Sequence, residues 1–251
     1  MRKIYGTLHT LFEDFVADGV IKATPCKLRK GDLPKNADKD REWRSTARFT
    51  PEEVEALISD ARIPADRRLL YGLLFLTGAR YGEAAGLRFR HLDASMKPLQ
   101  RLTLAHSYER STKTDVTRLV PVHPTLAAML AEWKLGGFRT LAERPASDSE
   151  WVVPGVRGGM RSRHRARKDF LMDLKTLGLR HRRVQDSRRT FISMARDGGA
   201  RTDVLKMITH TPARSMIDEY SSLAWETLCE AVLCVSVVRG VRPKRGSGET
   251  T

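Results

Sequence analysis

The sequence predicts a mainly α-helical protein with a small antiparallel β-sheet, and three features of its patterning carry that reading. Apolar residues recur at helical spacing in several separate stretches, among them Ile4 to Val16 and Leu69 to Leu76. Two short runs of strand character, Leu102 to His106 and Arg118 to Val122, flank one polar stretch as the arms of a hairpin would. No internal repeat appears at the periods of a solenoid, so the elements must share compact cores. At 251 residues the chain can bury one good core or two smaller ones without disulfides or a structural metal.

The first helix sets Ile4, Leu8, Leu11, Phe12, Phe15 and Val16 on one stripe and stops at Gly19. From Lys27 to Arg48 the chain is charged, carries Gly31 and Pro34 and has no apolar period, which predicts a linker and a domain boundary. Thr50-Pro51-Glu52-Glu53 is a helix start: an N-cap, a proline at the first helical position and a glutamate placed to close a capping box, with the helix running through Ile58. Asp66 opens a richer stretch, Leu69, Leu70, Leu73, Leu74, Phe75 and Leu76, apolar on nearly every side and closed by Gly78; it belongs at the centre of the core.

Glu109 to Asp115 forms the tip of the expected hairpin, polar enough to be mobile. Pro124 to Lys134 returns to helical spacing and should end at Gly136-Gly137, and Trp151-Val152-Val153-Pro154 fits a short strand before the loop Gly155 to Gly159. Beyond it the pattern is helical, with breaks at Gly178, Gly198-Gly199 and Pro212, a last helix over Ala224 to Val238 and a tail, 239–251, of disordered composition.

Forty-five Lys and Arg against 30 Asp and Glu leave a formal charge of +15, which favours a polyanionic partner because neutralised phosphates release their condensed counterions. Nucleic acid leads over an acidic membrane surface: the sequence has no apolar run of 18 residues and no signal-peptide core at its start. Cys26, Cys229 and Cys234 are odd in number and lack CxxC spacing, which speaks for a reducing compartment and against a zinc site or a thiol redox pair. The expected location is the cytoplasm.

The positive charge is clustered. Arg157, Arg161, Arg163, Arg165, Arg167 and Lys168 fall within twelve residues without an acid between them, and Arg180, Arg182, Arg183, Arg188 and Arg189 follow. On one helix Arg157, Arg161 and Arg165 would share a face and repel each other unless a phosphate backbone lay across it. A solvated basic face is the plainer reading of such a run, and two clusters in so basic a chain shift the balance to DNA.

The order of particular residues carries more. Thr77-Gly78-Ala79-Arg80-Tyr81-Gly82-Glu83-Ala84-Ala85-Gly86-Leu87 follows the apolar helix, and Thr112-Lys113-Thr114 lies between the strands that lead into Arg118-Leu119-Val120-Pro121-Val122. Later come Gln185-Asp186-Ser187-Arg188-Arg189-Thr190-Phe191, Ile208-Thr209-His210 and Glu219-Tyr220. This ordered set, over roughly residues 50 to 235, resembles the catalytic domain of the tyrosine recombinase (phage integrase) family. Residues 1–26 resemble the last helix of that family's core-binding domain, whose other helices would precede Met1. The implied organisation is a core-binding remnant over 1–26, a linker over 27–49, a catalytic domain over 50–238 and the tail.

The resemblance implies a site-specific recombinase or integrase of a mobile element, bacterial or phage in type and associated with the nucleoid, that cuts and rejoins double-stranded DNA without metal or cofactor. Tyr220 would attack the scissile phosphate to give a 3′-phosphotyrosine link, Arg80 and Arg188 would hold the non-bridging oxygens, Lys113 would protonate the leaving 5′-oxygen and His210 would donate a hydrogen bond to the phosphate. Glu83, three residues after Arg80, could orient it. The terminal helix implies self-assembly on DNA, or else it covers its own core.

Three departures bear on activity. Gln185 stands where the family commonly has His or Lys and Arg189 where it commonly has His, and the interval from His210 to Tyr220 is one residue longer than the pattern. Glutamine can donate to phosphate but cannot take a proton, so a catalytically disabled integrase-like DNA-binding protein is the alternative. A relaxing topoisomerase would share the chemistry, but the motif spacing is integrase-like throughout.

Overall fold

The computed structural model describes residues 2–28, 32, 46–104, 106–107, 110–111, 117–209 and 223–237. Most of the expected linker, most of the hairpin tip including Lys113, the break at Pro212, the segment holding His210 and Tyr220, and the tail lie outside the described residues. The chain divides into two compact units, Met1–Arg44 and Ser45–Thr251.

In the first unit, helix α1 spans Arg2–Ala17, and Gly19 follows it with a φ of +71°, a conformation glycine adopts without strain. The Tyr5 hydroxyl donates to the Cys26 carbonyl at 2.9 Å, tying the segment after the helix back to its first turn.

The second unit opens with α2, Pro51–Ser59, capped as its sequence predicts: Glu53 N–H donates to Thr50 Oγ1 at 3.3 Å, and Thr50 N–H donates to the Glu53 carboxylate at 2.9 Å. Phe49, just before the cap, is fully buried, so the core begins inside the stretch expected to be linker. Helix α3, Ala65–Thr77, is buried continuously from Leu69 to Thr77, and its Phe75 and Tyr71 meet Phe49 and Phe170 edge to face. Gly78 ends it in the left-handed region, at φ +62°.

A short helix, α4 (Tyr81–Ala85), leads to the sheet. Strands β1 (Leu92–Asp93), β2 (Arg101–Leu104) and β5 (Arg118–Pro121) pair antiparallel in the order β1-β2-β5, and the hairpin arms are the expected ones. Between β2 and β5, β3 (His106–Ser107) and β4 (Arg110–Ser111) pair with each other.

Two local expectations change here. Helix α5, Pro124–Glu132, does not stop at the glycine pair but runs through a π-helical turn, Trp133–Gly137, into α6, Phe138–Ala142. The glycine there serves packing: a β-carbon on Gly137 would stand 2.5 Å from the Trp133 ring, whose Nε1–H donates to the Val152 carbonyl at 2.7 Å. Trp151 to Pro154 makes two isolated bridges, Arg88 to Trp151 and Pro154 to Met160, instead of a strand.

Helices α7 (Arg163–Thr176), α8 (Asp186–Asp197), α9 (Thr202–Thr209) and α10 (Trp225–Leu233) complete the unit. The last helix is shorter than expected and covers its own core: Leu228, Cys229, Val232 and Val235 are buried. Its end sits so close to Gly198 that a β-carbon there would lie 2.1 Å from the Cys234 carbonyl oxygen. Among the described residues no helix is long and apolar enough to cross a membrane.

Candidate active site

Arg80 is the N-cap residue of α4, and one carboxylate governs it. The Glu83 Oε2 atom accepts the Arg80 backbone N–H at 2.7 Å, and Oε1 accepts Arg80 Nη1 at 3.1 Å. Glu83 is almost wholly buried while the Arg80 side chain remains about half exposed, at 47%. The guanidinium is thus held from behind and presents its remaining donors to solvent, as a group that binds an anion must.

Arg188 reaches the same place from α8. Its Nη1 donates to the Gly78 carbonyl at 2.7 Å, two residues before Arg80. The approach depends on glycine, because Phe191, one turn along α8, fills the space where a β-carbon on Gly78 would lie, 2.6 Å from Cδ1. One glycine therefore ends α3, admits Phe191 and sets Arg188 beside Arg80.

A third arginine, Arg118, completes the cluster, although in the sequence it stands out only as the start of a strand. Arg118 opens β5 opposite Leu104 and is buried. It forms a short ion pair with Glu83 Oε2, and its Nη1 donates to the Ile208 carbonyl near the end of α9 at 2.6 Å. The signal that could have found it is strand periodicity: Arg118, Val120 and Val122 alternate onto one face, and the two valines are core residues, so Arg118 had to be a charge pointing inward.

Three guanidinium groups and one carboxylate leave the cluster positive. Burial, followed by repulsion from Arg118 and Arg80, pushes Arg188 down to about 10, with Glu83 acting the other way. Burial also lowers Arg118, attraction to Glu83 opposes that, and Arg80 adds repulsion. Such a site favours an anion that can bring the missing negative charge, and planar forks suit the oxygens of a phosphate.

Gln185 precedes the first residue of α8 without a side-chain capping bond and is exposed, three residues from Arg188. It lines a cavity of about 540 Å³ together with Tyr81, Arg163, Arg167, Phe170, His181 and Arg183. His181, seven residues before Arg188 in the chain, is thus brought to the same cleft as Gln185. Lys113, His210 and Tyr220 lie outside the described residues, although α9 ends at Thr209, immediately before His210.

The basic run divides into two groups. Helix α7 starts only at Arg163, so Arg157, Arg161 and Arg165 do not share a helical face. Arg161 is buried, in a short pair with Asp66 and donating to the Pro154 carbonyl at 3.1 Å; Arg182 is buried too, with Nη2 2.7 Å from Glu53 Oε2 and its plane 4.2 Å from the Phe49 ring centroid. These two are structural, because a guanidinium enclosed by protein cannot meet a DNA backbone. Arg157, Arg163, Arg165, Arg167, Lys168 and Arg183 are exposed, with Arg165 also 3.0 Å from Asp169.

A buried polar network fixes which side of α7 faces out. The Tyr71 hydroxyl donates to Asp173 at 2.5 Å, and Arg67 lies 3.0 Å from Asp173 and 3.7 Å from Asp169. Burial raises the Asp173 carboxyl, while Tyr71 and Arg67 act to lower it. Both aspartates project inward four residues apart, which turns Arg163, Arg167 and Lys168 to solvent.

The sequence matches the model of the phage integrase family over residues 47–226. No curated protein matches it. Among solved structures, the integrase from mycobacterium phage Brujita superposes with a TM-score of 0.57 at 15% identity, covering 96% of this chain and 73% of that one. The Tn1549 transposon integrase, solved with circular intermediate DNA, gives a TM-score of 0.61 at 15% identity over 90% and 76%. The XerH site-specific recombinase bound to its difH substrate gives 0.52 at 18% identity over 66% and 47%. At these identities the likeness is one of fold, and it is the family model, matched over most of the chain and across both arginine motifs, that assigns this protein to the phage integrase family of tyrosine recombinases.

Proposed function

We propose that this protein is a site-specific DNA strand transferase that cleaves and rejoins double-stranded DNA through a 3′-phosphotyrosine intermediate on Tyr220. The observation that carries the reading is the convergence of Arg80, Arg118 and Arg188 around the single carboxylate of Glu83, which leaves an anion site in need of a phosphate.

In this reading Arg80 and Arg188 bind the non-bridging oxygens of the scissile phosphate, where the charge of the pentacoordinate transition state accumulates. Tyr220 gives up its hydroxyl proton to solvent as Oη forms the new bond to phosphorus, and the 5′-oxygen leaves with a proton supplied by Lys113. His210 donates to the phosphate. The phosphotyrosine bond conserves the energy of the diester, so a 5′-hydroxyl from the same or a partner duplex can attack it, expel Tyr220 and reseal the strand. The exposed cations of α7 and Arg183 hold the DNA backbone around the site. DNA-bound neighbours of the same fold support the choice of partner. Assembly of several copies on DNA and action at the nucleoid belong to the same proposal.

The test is covalent capture on nicked duplexes carrying the element's own junctions, read on denaturing gels. Wild type should form an adduct that Tyr220→Phe abolishes while DNA binding persists; capture that survives Tyr220→Phe overturns the proposal.

Gln185 favours a second reading, a DNA-binding protein of this fold that no longer cuts. A group that cannot take a proton stands where deprotonation of Tyr220 would be aided, and tyrosine ordinarily ionises near pH 10. Under this reading wild type binds without capture and Gln185→His gains it. An adduct trapped by wild type excludes it.

A further inference from the structure

Arg118 has no donor role at the phosphate in the scheme above, yet it is the most enclosed arginine of the cluster, and two elements converge on it. Strand periodicity turns it inward beside Val120. Its guanidinium meets Glu83 Oε2 on one side and the Ile208 carbonyl, at 2.6 Å, on the other. Ile208 lies in the last turn of α9, where backbone carbonyls run out of intrahelical partners, so Arg118 caps the helix end from which the chain passes to His210. The oxygen it holds on Glu83 also receives the Arg80 backbone N–H at 2.7 Å, and the other oxygen receives the Arg80 guanidinium. In the chain, Arg118 stands five positions after Lys113, at the start of the strand returning from the hairpin.

We infer that Arg118 is a positioning residue: it joins the Arg80–Glu83 unit, the strand after Lys113 and the end of α9 before His210, so that these groups are held in register around one phosphate. The inference rests on the strand-transfer reading and goes beyond it. With its fork bound to protein acceptors, Arg118 acts through Arg80 and the α9 terminus. Glu83 requires such a second partner, because Arg80 alone leaves its Oε2 facing only a backbone amide in a buried setting. Lysine is a poor substitute, since an ammonium is a point charge and cannot span a carboxylate and a carbonyl with a planar fork.

Single-turnover cleavage of a nicked duplex tests this on the full chain, with wild type, Arg118→Lys, Arg118→Met and Glu83→Gln compared on a scissile phosphodiester and on a methylphosphonate at the same bond. The methylphosphonate has lost the charge that Arg80 and Arg188 neutralise. Expected for Arg118→Lys are DNA affinity within about threefold of wild type and diester cleavage down by about a hundredfold, the size of loss seen when one preorganised donor is removed. Methylphosphonate cleavage should fall by less than about tenfold, and Glu83→Gln should show the same selective loss. If Arg118→Met fails to fold, Arg118→Lys and Glu83→Gln decide the matter. Equal loss on both substrates, or loss matched by weaker binding, means an ordinary structural residue and overturns the inference while wild-type capture still stands. A wild type that forms no Tyr220 adduct overturns the strand-transfer reading and this inference with it.

Discussion

Arg188 donates from Nη1 to the carbonyl oxygen of Gly78 at 2.7 Å, so the residue that ends the central helix also seats a cation of the site. Gly78→Ala should therefore damage stability and chemistry together. The added methyl meets Phe191 and the backbone is left at φ +62°. The left-handed conformation costs about 1–2 kcal/mol and the overpacking about 1–3. Urea melts should show a loss of about 2–5 kcal/mol, and the surviving folded protein should cleave DNA slowly.

Arg188 itself should oppose folding. Its folded pKa, about 10, lies below the ordinary arginine value, so the native state holds that proton less tightly than the unfolded chain does. The charged group thus destabilises the fold at all pH values below about 10, and the penalty lifts only as pH climbs from there. Arg188→Met should keep or raise Tm at neutral pH while abolishing covalent capture. Sulfate at fixed ionic strength should raise Tm in wild type more than in this variant. A clear fall in Tm for Arg188→Met contradicts the account.

Buried and exposed arginines of the basic run should separate by experiment. Arg182→Ala strips a partner from Glu53 in a largely enclosed pair and should cost about 3 kcal/mol or more in chemical denaturation. Arg163→Gln and Arg167→Gln should leave Tm nearly unchanged but weaken DNA binding. Each lost phosphate contact should reduce the slope of log K against log salt by about 0.9.

His123 makes the C-terminal segment sensitive to acid. Its Nδ1 accepts the Thr125 N–H at 3.2 Å, which places the ring proton on Nε2, 3.0 Å from the Val235 carbonyl. Burial lowers its pKa, partly countered by that bond to Val235. The unfolded chain therefore takes up the proton first as pH falls. Stability should decline from about pH 6.5, the ordinary histidine value, through the lower native pKa. Differential melting at pH 7.5 and pH 5 should show the drop in wild type, and His123→Gln should flatten it.

Much of the fold was legible because it rests on local rules. The capping box of Thr50 and Glu53, the helix stop at Gly78 and the pairing of the two hairpin arms follow from spacing and residue type. The readings that changed depended on neighbours distant in sequence. Gly136-Gly137 looks like a stop until Trp133 is seen to need the space over Gly137. Arg161 and Arg182 look like DNA contacts until Asp66 and Glu53 are found beneath them, 95 and 129 residues away.

The sequence by itself determined the class of the protein and the order of its chemical groups. Periodicity, caps and the run from Arg80 through Lys113 and Arg188 to Tyr220 are written along the chain, where each rule spans only a few residues. Only the tertiary structure decided which charges gather at the candidate site and which are buried in ion pairs elsewhere. Whether an arginine faces solvent, a carboxylate or a core depends on which distant segments close around it. Burial and pairing, which the chain settles only on folding, make Arg80 an available donor, Arg118 an enclosed tie and Arg182 a support for the first helix of its unit.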